Sequence, residues 1–431
     1  MSAMVDFVTG GRTGAPIAAH PGALLNGGAE WLTQAFRAFG SLSPGNAVVR
    51  IAARRPCLAG NSGEKLFLTV DYLRDEPGLD RELFVKFSRH FTDPFRDRRR
   101  AELDGEVRLA TLSRLPAFPV AAAKPYFADY HAETGIGVLI TRQIAFGEGG
   151  VEPLLAKCMD HDLPDALEHY RATTRALARL AAAQKTGALS PDIEALFPYD
   201  RAESLADLPL HGDAGEFAAK VDAIARFIAE APRLFPANLA APAFLERFRR
   251  DALRFHEQDA AVRAFLQSEP ALIALSHWNT NIDNAWFWRD GAGELQCGLL
   301  DWGMVRQMNL AWGLWGGQCA ADRAMLAAHV DDLLALFAHE YAAHGGPAVD
   351  LATLGLHYDL SVAMIGLALM ADAPVIIESR APRAREAGGL LDPLIVQDQV
   401  AHGFLHVFIN FLTLWEQRDF GAALRRALQS D

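Results

Sequence analysis

Residues 277–303 carry the sequence HWNTNIDNAWFWRDGAGELQCGLLDWG, which is the most informative stretch of the chain. Two apolar runs flank residues 290–293, Asp-Gly-Ala-Gly, a combination that predicts a β-hairpin. If its turn centres on Ala292 and Gly293, then Asn284 and Asp301 are cross-strand partners at the open end. An amide oxygen and a carboxylate held close together suit Mg²⁺. The alternative interpretation is a turn-flanking Asn and an exposed Asp.

The chain before residue 145 alternates between apolar and polar positions, which is typical of strands. The predicted strands are Ala47–Ala52, Lys65–Tyr72, Glu82–Ser88, Tyr126–His131 and Ile136–Thr141. Helical spacing covers Glu30–Phe36, and a charged helix is predicted over Asp97–Leu115, before two prolines. This region therefore predicts an antiparallel sheet with one helix inserted after its third strand.

Beyond residue 146 the pattern is mainly helical, and the hairpin is the exception. The most apolar segment, Leu360–Ala371, is shorter than the roughly 20 residues of a membrane span, so it predicts a buried helix. A loop with Arg380, Arg383 and Arg385 could meet an anionic substrate or partner, but a solvated loop is the simpler interpretation.

Composition excludes several classes of protein. The chain has 431 residues and a formal net charge of −12, so its surface as a whole is not suited to nucleic acid or an anionic membrane. A local basic pocket for an anionic ligand stays open. The four cysteines lack the spacing of a zinc site, and the N-terminus lacks the pattern of a signal peptide. We therefore expect a cytoplasmic protein with reduced, mostly buried cysteines.

The order His277, Asn279, Asn284, hairpin, Asp301 resembles the catalytic segment of the aminoglycoside phosphotransferase and choline kinase-like family. That family's pattern is His-Gly-Asp, four residues, Asn, a short hairpin, and Ile-Asp-Trp or Ile-Asp-Phe. The resemblance implies an α+β, two-lobed protein kinase-like fold. Residues 1–145 would form a small antiparallel-sheet N-lobe, and residues 146–431 a large helical C-lobe with the catalytic loop at 277–303.

The resemblance also implies roles for charged residues. Asn284 and Asp301 match the two metal-binding positions, and Lys86 in the third strand matches the lysine that contacts ATP phosphates. Glu106 matches the ion-pair partner of that lysine, although Glu102 lies one turn earlier on the same helix. We favour Glu106 because the apolar residues that follow it match the family.

Two backbone segments of the first lobe are further candidates for nucleotide contacts. Gly60 and Gly63 lie between the first two strands of the predicted sheet, where a phosphate-covering loop belongs, although such clusters are commonly plain turns. Gln143 and Ile144 follow the last strand and match the hinge whose backbone holds adenine.

One departure from the family concerns the catalytic position. Asn279 stands where the family has Asp, and an amide cannot accept a proton as a carboxylate does. Asn279 can still orient a hydroxyl, with His277 bracing the loop. The resemblance thus implies an ATP- and Mg²⁺-dependent phosphotransferase acting on a small-molecule hydroxyl. The alternative is a catalytically impaired pseudokinase that binds nucleotide or metabolite and regulates a protein partner.

Overall fold

The computed structural model describes residues 5–58 and 63–429, which form two compact units. The first unit comprises residues 1–153, 187–197 and 298–306, and the second comprises residues 154–186, 198–297 and 307–431. The predicted division at 145/146 is a single boundary in the chain. In the structure, the first unit also includes two later segments, residues 187–197 and 298–306. As a result, Asp301 belongs to the same unit as Lys86 and Glu106.

The first unit is built on a five-stranded antiparallel sheet. Its elements are β1 (Phe7–Thr9), β2 (Pro16–Ala18), α1 (Pro21–Phe39), β3 (Val48–Pro56), β4 (Lys65–Tyr72), β5 (Glu82–Phe87), α2 (Glu102–Leu112), β6 (Ala121–Ala122), β7 (Pro125–His131) and β8 (Ile136–Arg142). The strand order is β3-β4-β5-β8-β7, and every neighbouring pair is antiparallel. The predicted antiparallel sheet, with a helix after its third strand, is confirmed.

The inserted helix is shorter than predicted. Its first residue is Glu102 rather than Asp97, and residues 94–100 form turns. Arg96 and Arg100 donate hydrogen bonds to the carbonyls of Thr134 and Glu133 in the β7–β8 turn, at 2.5 and 3.2 Å. These long-range bonds hold the arginine segment outside the helix, and a local charge pattern carries no information about them.

The N-terminal residues form an unpredicted strand pair. β1 pairs with β2, and the intervening loop closes through a 2.8 Å bond from the Gly10 amide to the Ala15 carbonyl. The buried carboxylate of Asp129 accepts bonds from the amides of Arg12 and Thr13, at 3.0 and 2.8 Å. The Gly- and Ala-rich sequence shows no strand periodicity here. The loop between β1 and β2 is held by the side chain of Asp129, which is distant in sequence, so local pattern does not indicate the pair.

The remainder of the chain is mainly helical. Its elements are α3 (Ala166–Lys185), α4 (Ile193–Leu196), α5 (Arg201–Ala206), α6 (Ala214–Glu230), α7 (Pro242–Glu257), α8 (Asp259–Leu266), β9 (Ile273–Ser276), β10 (Ala285–Arg289), β11 (Leu295–Leu299), β12 (Arg306–Asn309), α9 (Leu310–Gln318), α10 (Arg323–Ala343), α11 (Leu351–Met370), α12 (Ala373–Arg380), α13 (Pro393–Val396), α14 (Gln399–Gln417) and α15 (Phe420–Leu428). Of these, α4, the last two residues of β11 and the first residue of β12 belong to the first unit.

Helix α11 contains the apolar segment singled out in the sequence. Among the residues that the structure describes, it is the one helix long and apolar enough to cross a membrane by composition, yet 72% of its most apolar window is buried inside the protein. A buried core helix is therefore the better description, and it is longer than predicted. All four cysteines lie within the described residues and none forms a disulfide bond, but only Cys158 is fully buried.

The hairpin turn differs by one position from the prediction. The Asp290 amide donates to the Glu294 carbonyl at 3.0 Å, and the Asp290 carboxylate accepts bonds from the Ala292 and Glu294 amides. Asp290 and Glu294 therefore close a three-residue turn, in which Gly293 has a φ of +83°. The predicted centre at Ala292 and Gly293 is wrong, and the cross-strand pairing of Asn284 with Asp301 that depended on it does not follow.

Candidate functional site

A buried lysine between two carboxylates is the most distinctive polar feature of the first unit. Lys86 lies near the end of β5 and is 5% exposed. Its Nζ donates to Glu106 Oε1 at 2.7 Å and to Asp301 Oδ1 at 2.5 Å. We call Lys86, Glu106 and Asp301 the lysine cluster. Glu102, the other candidate for the pair, instead accepts from Arg89 at 2.8 Å.

The lysine cluster controls the charge of its members. Burial lowers the pKa of Lys86, but the two carboxylates outweigh this effect and raise it, so the ammonium stays charged. Burial raises the pKa of Glu106 to about 7, while the Lys86 ammonium opposes that rise and the Asp301 carboxylate adds to it. Glu106 therefore changes its protonation state near neutral pH, and Lys86 does not.

Asp301 differs from the other two members in exposure and in backbone conformation. Its side chain is 45% exposed, whereas that of Glu106 is 2% exposed. Its φ of +53° lies in the left-handed region, which non-glycine residues adopt uncommonly and which is found at functional sites. Asp301 uses Oδ1 for Lys86 and still presents carboxylate surface, which fits a ligand to a cation.

The predicted phosphate-covering loop is only partly described. Gly60 lies outside the described residues, and Gly63 has a φ of +64°. A Cβ atom on Gly63 would lie 1.9 Å from the Phe87 carbonyl oxygen, so only glycine allows the backbone to approach the end of β5 this closely. Gly63 thus lies beside the strand that carries Lys86, while its role toward phosphate stays a prediction.

The predicted adenine hinge follows β8. The Gln143 amide donates to the Glu82 carbonyl at 2.9 Å, and Ile144 is buried. A ligand base could therefore use the backbone carbonyl of Gln143 but not its amide. The adenine-binding role of Gln143 and Ile144 stays a prediction.

The second unit contains the segment 277–284, which follows the buried strand β9. His277 is fully buried, and its Nδ1 accepts the Asn279 amide at 3.2 Å. Asn281 is buried as well; it donates to the Gly316 carbonyl at 2.9 Å and accepts from the Ala320 amide at 3.2 Å. These bonds anchor the segment to helix α9 and the residues that follow it, and His277 braces the loop.

The side-chain amides of Asn279 and Asn284 have defined orientations. Asn279 Oδ1 accepts from Asn281 Nδ2 at 2.6 Å, which leaves the Asn279 NH₂ group for a ligand. Asn284 Nδ2 donates to the Asn279 carbonyl at 2.9 Å, which leaves the Asn284 oxygen for a ligand. Both residues are half-buried. Asn284 thus offers the oxygen that a hard cation needs, and Asn279 offers a donor rather than a proton acceptor.

Three glycines of α9, which sequence analysis missed, make room for this segment. A Cβ atom on Gly316 would lie 1.6 Å from the Trp278 carbonyl oxygen. Cβ atoms on Gly313 and Gly317 would each lie 2.2 Å from a side-chain oxygen, of Ser276 and Thr280 respectively. The helix backbone therefore packs directly on the segment. The signal in the sequence was the spacing of glycines within an otherwise apolar helix.

Sequence analysis also missed Asp160. It is 2% exposed, and its Oδ2 accepts the Tyr170 hydroxyl at 2.5 Å. Burial raises the pKa of Asp160 to about 7, the Tyr170 hydrogen bond opposes this, and the charge of Asp283 adds to it. A protonatable carboxyl therefore lies near residue 283 of the segment, and nothing in its local sequence marks it.

The two predicted metal ligands, Asn284 and Asp301, belong to different compact units. Within residues 5–58 and 63–429, no group of three or more His, Cys, Asp or Glu side chains could hold a metal ion by itself. The donor set fits Mg²⁺, which uses few protein oxygens and retains water or phosphate ligands. The pairing of Asn284 with Asp301 at one ion stays a prediction.

Comparisons with known proteins found matches among solved structures. No protein-family model and no curated sequence matches the chain. Among solved structures, it is similar to a choline/ethanolamine kinase family protein from Mesorhizobium loti, with 15% identity over 87% of this chain and 93% of that chain, at a TM-score of 0.42. A choline kinase from Cryptosporidium parvum gives 10% identity, coverages of 88% and 92%, and a TM-score of 0.43.

A spectinomycin phosphotransferase, in complex with ADP and spectinomycin, gives 11% identity, coverages of 88% and 94%, and a TM-score of 0.40. The structural neighbours are thus small-molecule kinases and phosphotransferases at low sequence identity. Because all three TM-scores are below 0.5, these similarities assign no roles to individual residues. Such roles rest on the geometry within each of the two units.

Proposed function

We propose that this protein is a Mg²⁺- and ATP-dependent phosphotransferase that acts on a hydroxyl group of a small molecule. The observation that carries the proposal is the buried Lys86, held between Glu106 and Asp301 at 2.7 and 2.5 Å. A permanently charged ammonium at a fixed position suits a phosphate group, and phosphoryl transfer depends mainly on such positioning and on charge stabilisation.

Each member of the lysine cluster has a distinct role in this proposal. Glu106 holds Lys86 in place from α2, and its own burial keeps it from contacting ligand. Asp301, with its exposed carboxylate surface, is the proposed metal ligand in the first unit, and the oxygen of Asn284 is the proposed metal ligand in the second. Mg²⁺, when bound, neutralises charge that develops on the phosphates.

The acceptor side of the proposal rests on the segment 277–284. The NH₂ group of Asn279 orients the acceptor hydroxyl by donating to its oxygen, so this residue positions the nucleophile without removing its proton. In a loose phosphoryl-transfer transition state, little proton abstraction is required. General base help is typically worth roughly 10²–10⁴-fold, so we expect slow turnover.

Thermal unfolding with ATP, with and without Mg²⁺, tests the nucleotide site without knowledge of the acceptor. We expect a Mg²⁺-dependent rise in the midpoint for the natural protein, because a ligand that binds the folded state stabilises it. Asp301→Asn should abolish the Mg²⁺-dependent part. Asp75→Asn is the matched control, since Asp75 is an exposed carboxylate in the same unit. If Asp301→Asn retains the full Mg²⁺-dependent shift, the metal assignment is wrong.

Transfer itself is measured by ADP formation with candidate acceptors. Choline, ethanolamine and spectinomycin are suitable first compounds, since the similar structures include proteins named for them. Formation of a phosphorylated product, absent in Lys86→Met, supports transfer. A nucleotide-dependent stabilisation without product from any hydroxylated acceptor would count against it.

A further inference from the structure

The segment between β5 and α2 is unusually basic. Residues 89–100 contain five arginines, in a chain whose formal net charge is −12. One cavity of the first unit is lined by four of these arginines, Arg89, Arg96, Arg99 and Arg100. Lys86 and one carboxylate, that of Glu102, also line it. We call this cavity the arginine pocket. Concentrated positive charge in a cleft of an acidic protein attracts an anionic ligand.

Only part of this charge is neutralised by the protein. Arg89 contacts Glu102 at 2.8 Å and Asp93 at 3.1 Å, and Arg99 lies 3.6 Å from Glu102. Arg96 and Arg100 instead donate to the backbone carbonyls of the β7–β8 turn. Carbonyl groups orient a guanidinium without cancelling its charge. The one carboxylate near Arg96, that of Asp97, is 86% exposed and 3.9 Å away.

A second arginine-rich segment shows that this arrangement is specific. Each arginine from the end of α12 through the loop that follows it contacts a carboxylate: Arg380 with Asp398 at 2.8 Å, Arg383 with Glu386 at 2.6 Å, and Arg385 with Glu378 at 2.5 Å. That loop was the sequence-based candidate for an anionic ligand, and its charges are balanced locally. The arginine pocket, which carries a surplus, is the better candidate.

We propose that the arginine pocket binds a phosphoryl group. Guanidinium groups match the oxygen geometry of phosphate with paired hydrogen bonds. The negative charge of a phosphate also complements Arg96 and Arg100, whose hydrogen bonds go to backbone carbonyls. The pocket also borders the lysine cluster, because Lys86 lines it, and Glu102 precedes Glu106 by one turn of α2. A phosphoryl group that draws Arg89 and Arg99 away from Glu102 therefore acts on the helix that positions Glu106.

Two sources can supply this group: the phosphates of a nucleotide bound at Lys86, or a separate phosphorylated metabolite. Isothermal titration of the full-length protein with pyrophosphate, at constant ionic strength, tests the shared chemistry. We expect saturable binding that Arg99→Gln/Arg100→Gln weakens about tenfold or more, as expected for lost charge-assisted hydrogen bonds. Arg98→Gln/Arg226→Gln removes the same charge from exposed positions outside the pocket and should change the affinity less than about twofold.

Equal losses of pyrophosphate affinity in the two double variants, with folding intact by circular dichroism, would overturn the proposal. The absence of saturable pyrophosphate binding at millimolar concentration would overturn it as well.

Competition with ADP identifies the source of the phosphoryl group. Mutual exclusion assigns the pocket to nucleotide phosphates, and simultaneous binding assigns it to a separate ligand. Asp301→Asn separates this inference from the proposed function, because Asp301 does not line the pocket. If that variant loses its Mg²⁺-dependent response to ATP but keeps pyrophosphate binding, the pocket stands by itself.

Discussion

The lysine cluster of the first unit and the segment 277–284 of the second use opposite means to hold polar groups in place. The cluster relies on charge, with one buried ammonium between two carboxylates. The segment relies on neutral amides, with the side chains of Asn279 and Asn281 bonded to each other and Asn281 bonded to the Gly316 carbonyl. Fixed charge therefore lies where phosphate is proposed to bind, whereas the proposed acceptor position carries a neutral amide.

Under the proposed function, this difference concerns two separate parts of catalysis. Electrostatic stabilisation of a transferring phosphoryl group requires fixed charges, and the cluster provides them. Proton abstraction requires a base, and Asn279 is not one. The two regions can be perturbed separately, because each is held within its own compact unit.

The largest expected effect is on the charges of the cluster. Lys86→Met removes the cation between two carboxylates, and breaking a buried ion pair in this way typically costs about 3–5 kcal/mol of unfolding free energy. Adding Glu106→Gln should recover part of that loss, because without Lys86 the buried Glu106 carboxyl must either stay ionised without its partner or take up a proton, and glutamine removes that cost. Urea unfolding at pH 8 measures both. A double variant no more stable than Lys86→Met would show that the cluster is not held by charge.

Packing, not charge, is expected to dominate in the second unit. Gly316→Ala places a methyl group 1.6 Å from the Trp278 carbonyl oxygen, so the helix or the segment must shift, at a cost of about 3 kcal/mol. Gly403→Ala, in the interior of α14 with open space around the added Cβ, is the matched control. It should stabilise the protein by about 0.5–1 kcal/mol. Similar urea midpoints for the two variants would contradict the close approach of α9 to the segment.

The role of the amide at position 279 is tested by replacing it with a carboxylate. Asn279→Asp should raise the rate of phosphoryl transfer by about 10²-fold, since a carboxylate can accept the proton of the acceptor hydroxyl. The comparison variant is Asn238→Asp, which adds the same charge at an exposed position. If Asn279→Asp instead abolishes a measurable natural activity, the amide is part of a working site. The segment 277–284 would then contribute to catalysis as the lysine cluster does.

The smallest effect concerns pH. The pKa of Glu106 is raised from 4.5 to about 7 and that of Asp160 from 3.8 to about 7, mainly by burial. A carboxyl whose pKa is raised on folding stabilises the protein below its unfolded pKa, and this contribution disappears as the pH rises toward 7. Glu106→Gln and Asp160→Asn should each reduce the decline of unfolding free energy between pH 4.5 and 7. An unchanged pH profile would show that the carboxyl titrates normally.

Much of the first unit could be predicted from local pattern. Alternation located the strands, and the family resemblance singled out Lys86, Glu106 and Asp301. The sequence favoured Glu106 over Glu102, and the structure pairs Lys86 with Glu106 while Glu102 accepts from Arg89. The hairpin register, the β1–β2 pair, the α9 glycines and Asp160 all depend on contacts between distant residues, so periodicity and motif spacing carry little information about them.

Residues 298–306 belong to the first unit although more than 140 residues of mainly second-unit chain precede them. Lys86 and Asp301 are 215 positions apart. At a synthesis rate of about 5–20 residues per second, roughly 10–40 s separate the appearance of the two at the ribosome. During that interval the nascent chain can form the Lys86–Glu106 ion pair but not the contact between Lys86 and Asp301. The order of translation thus makes this site one of the later features of the chain to be completed.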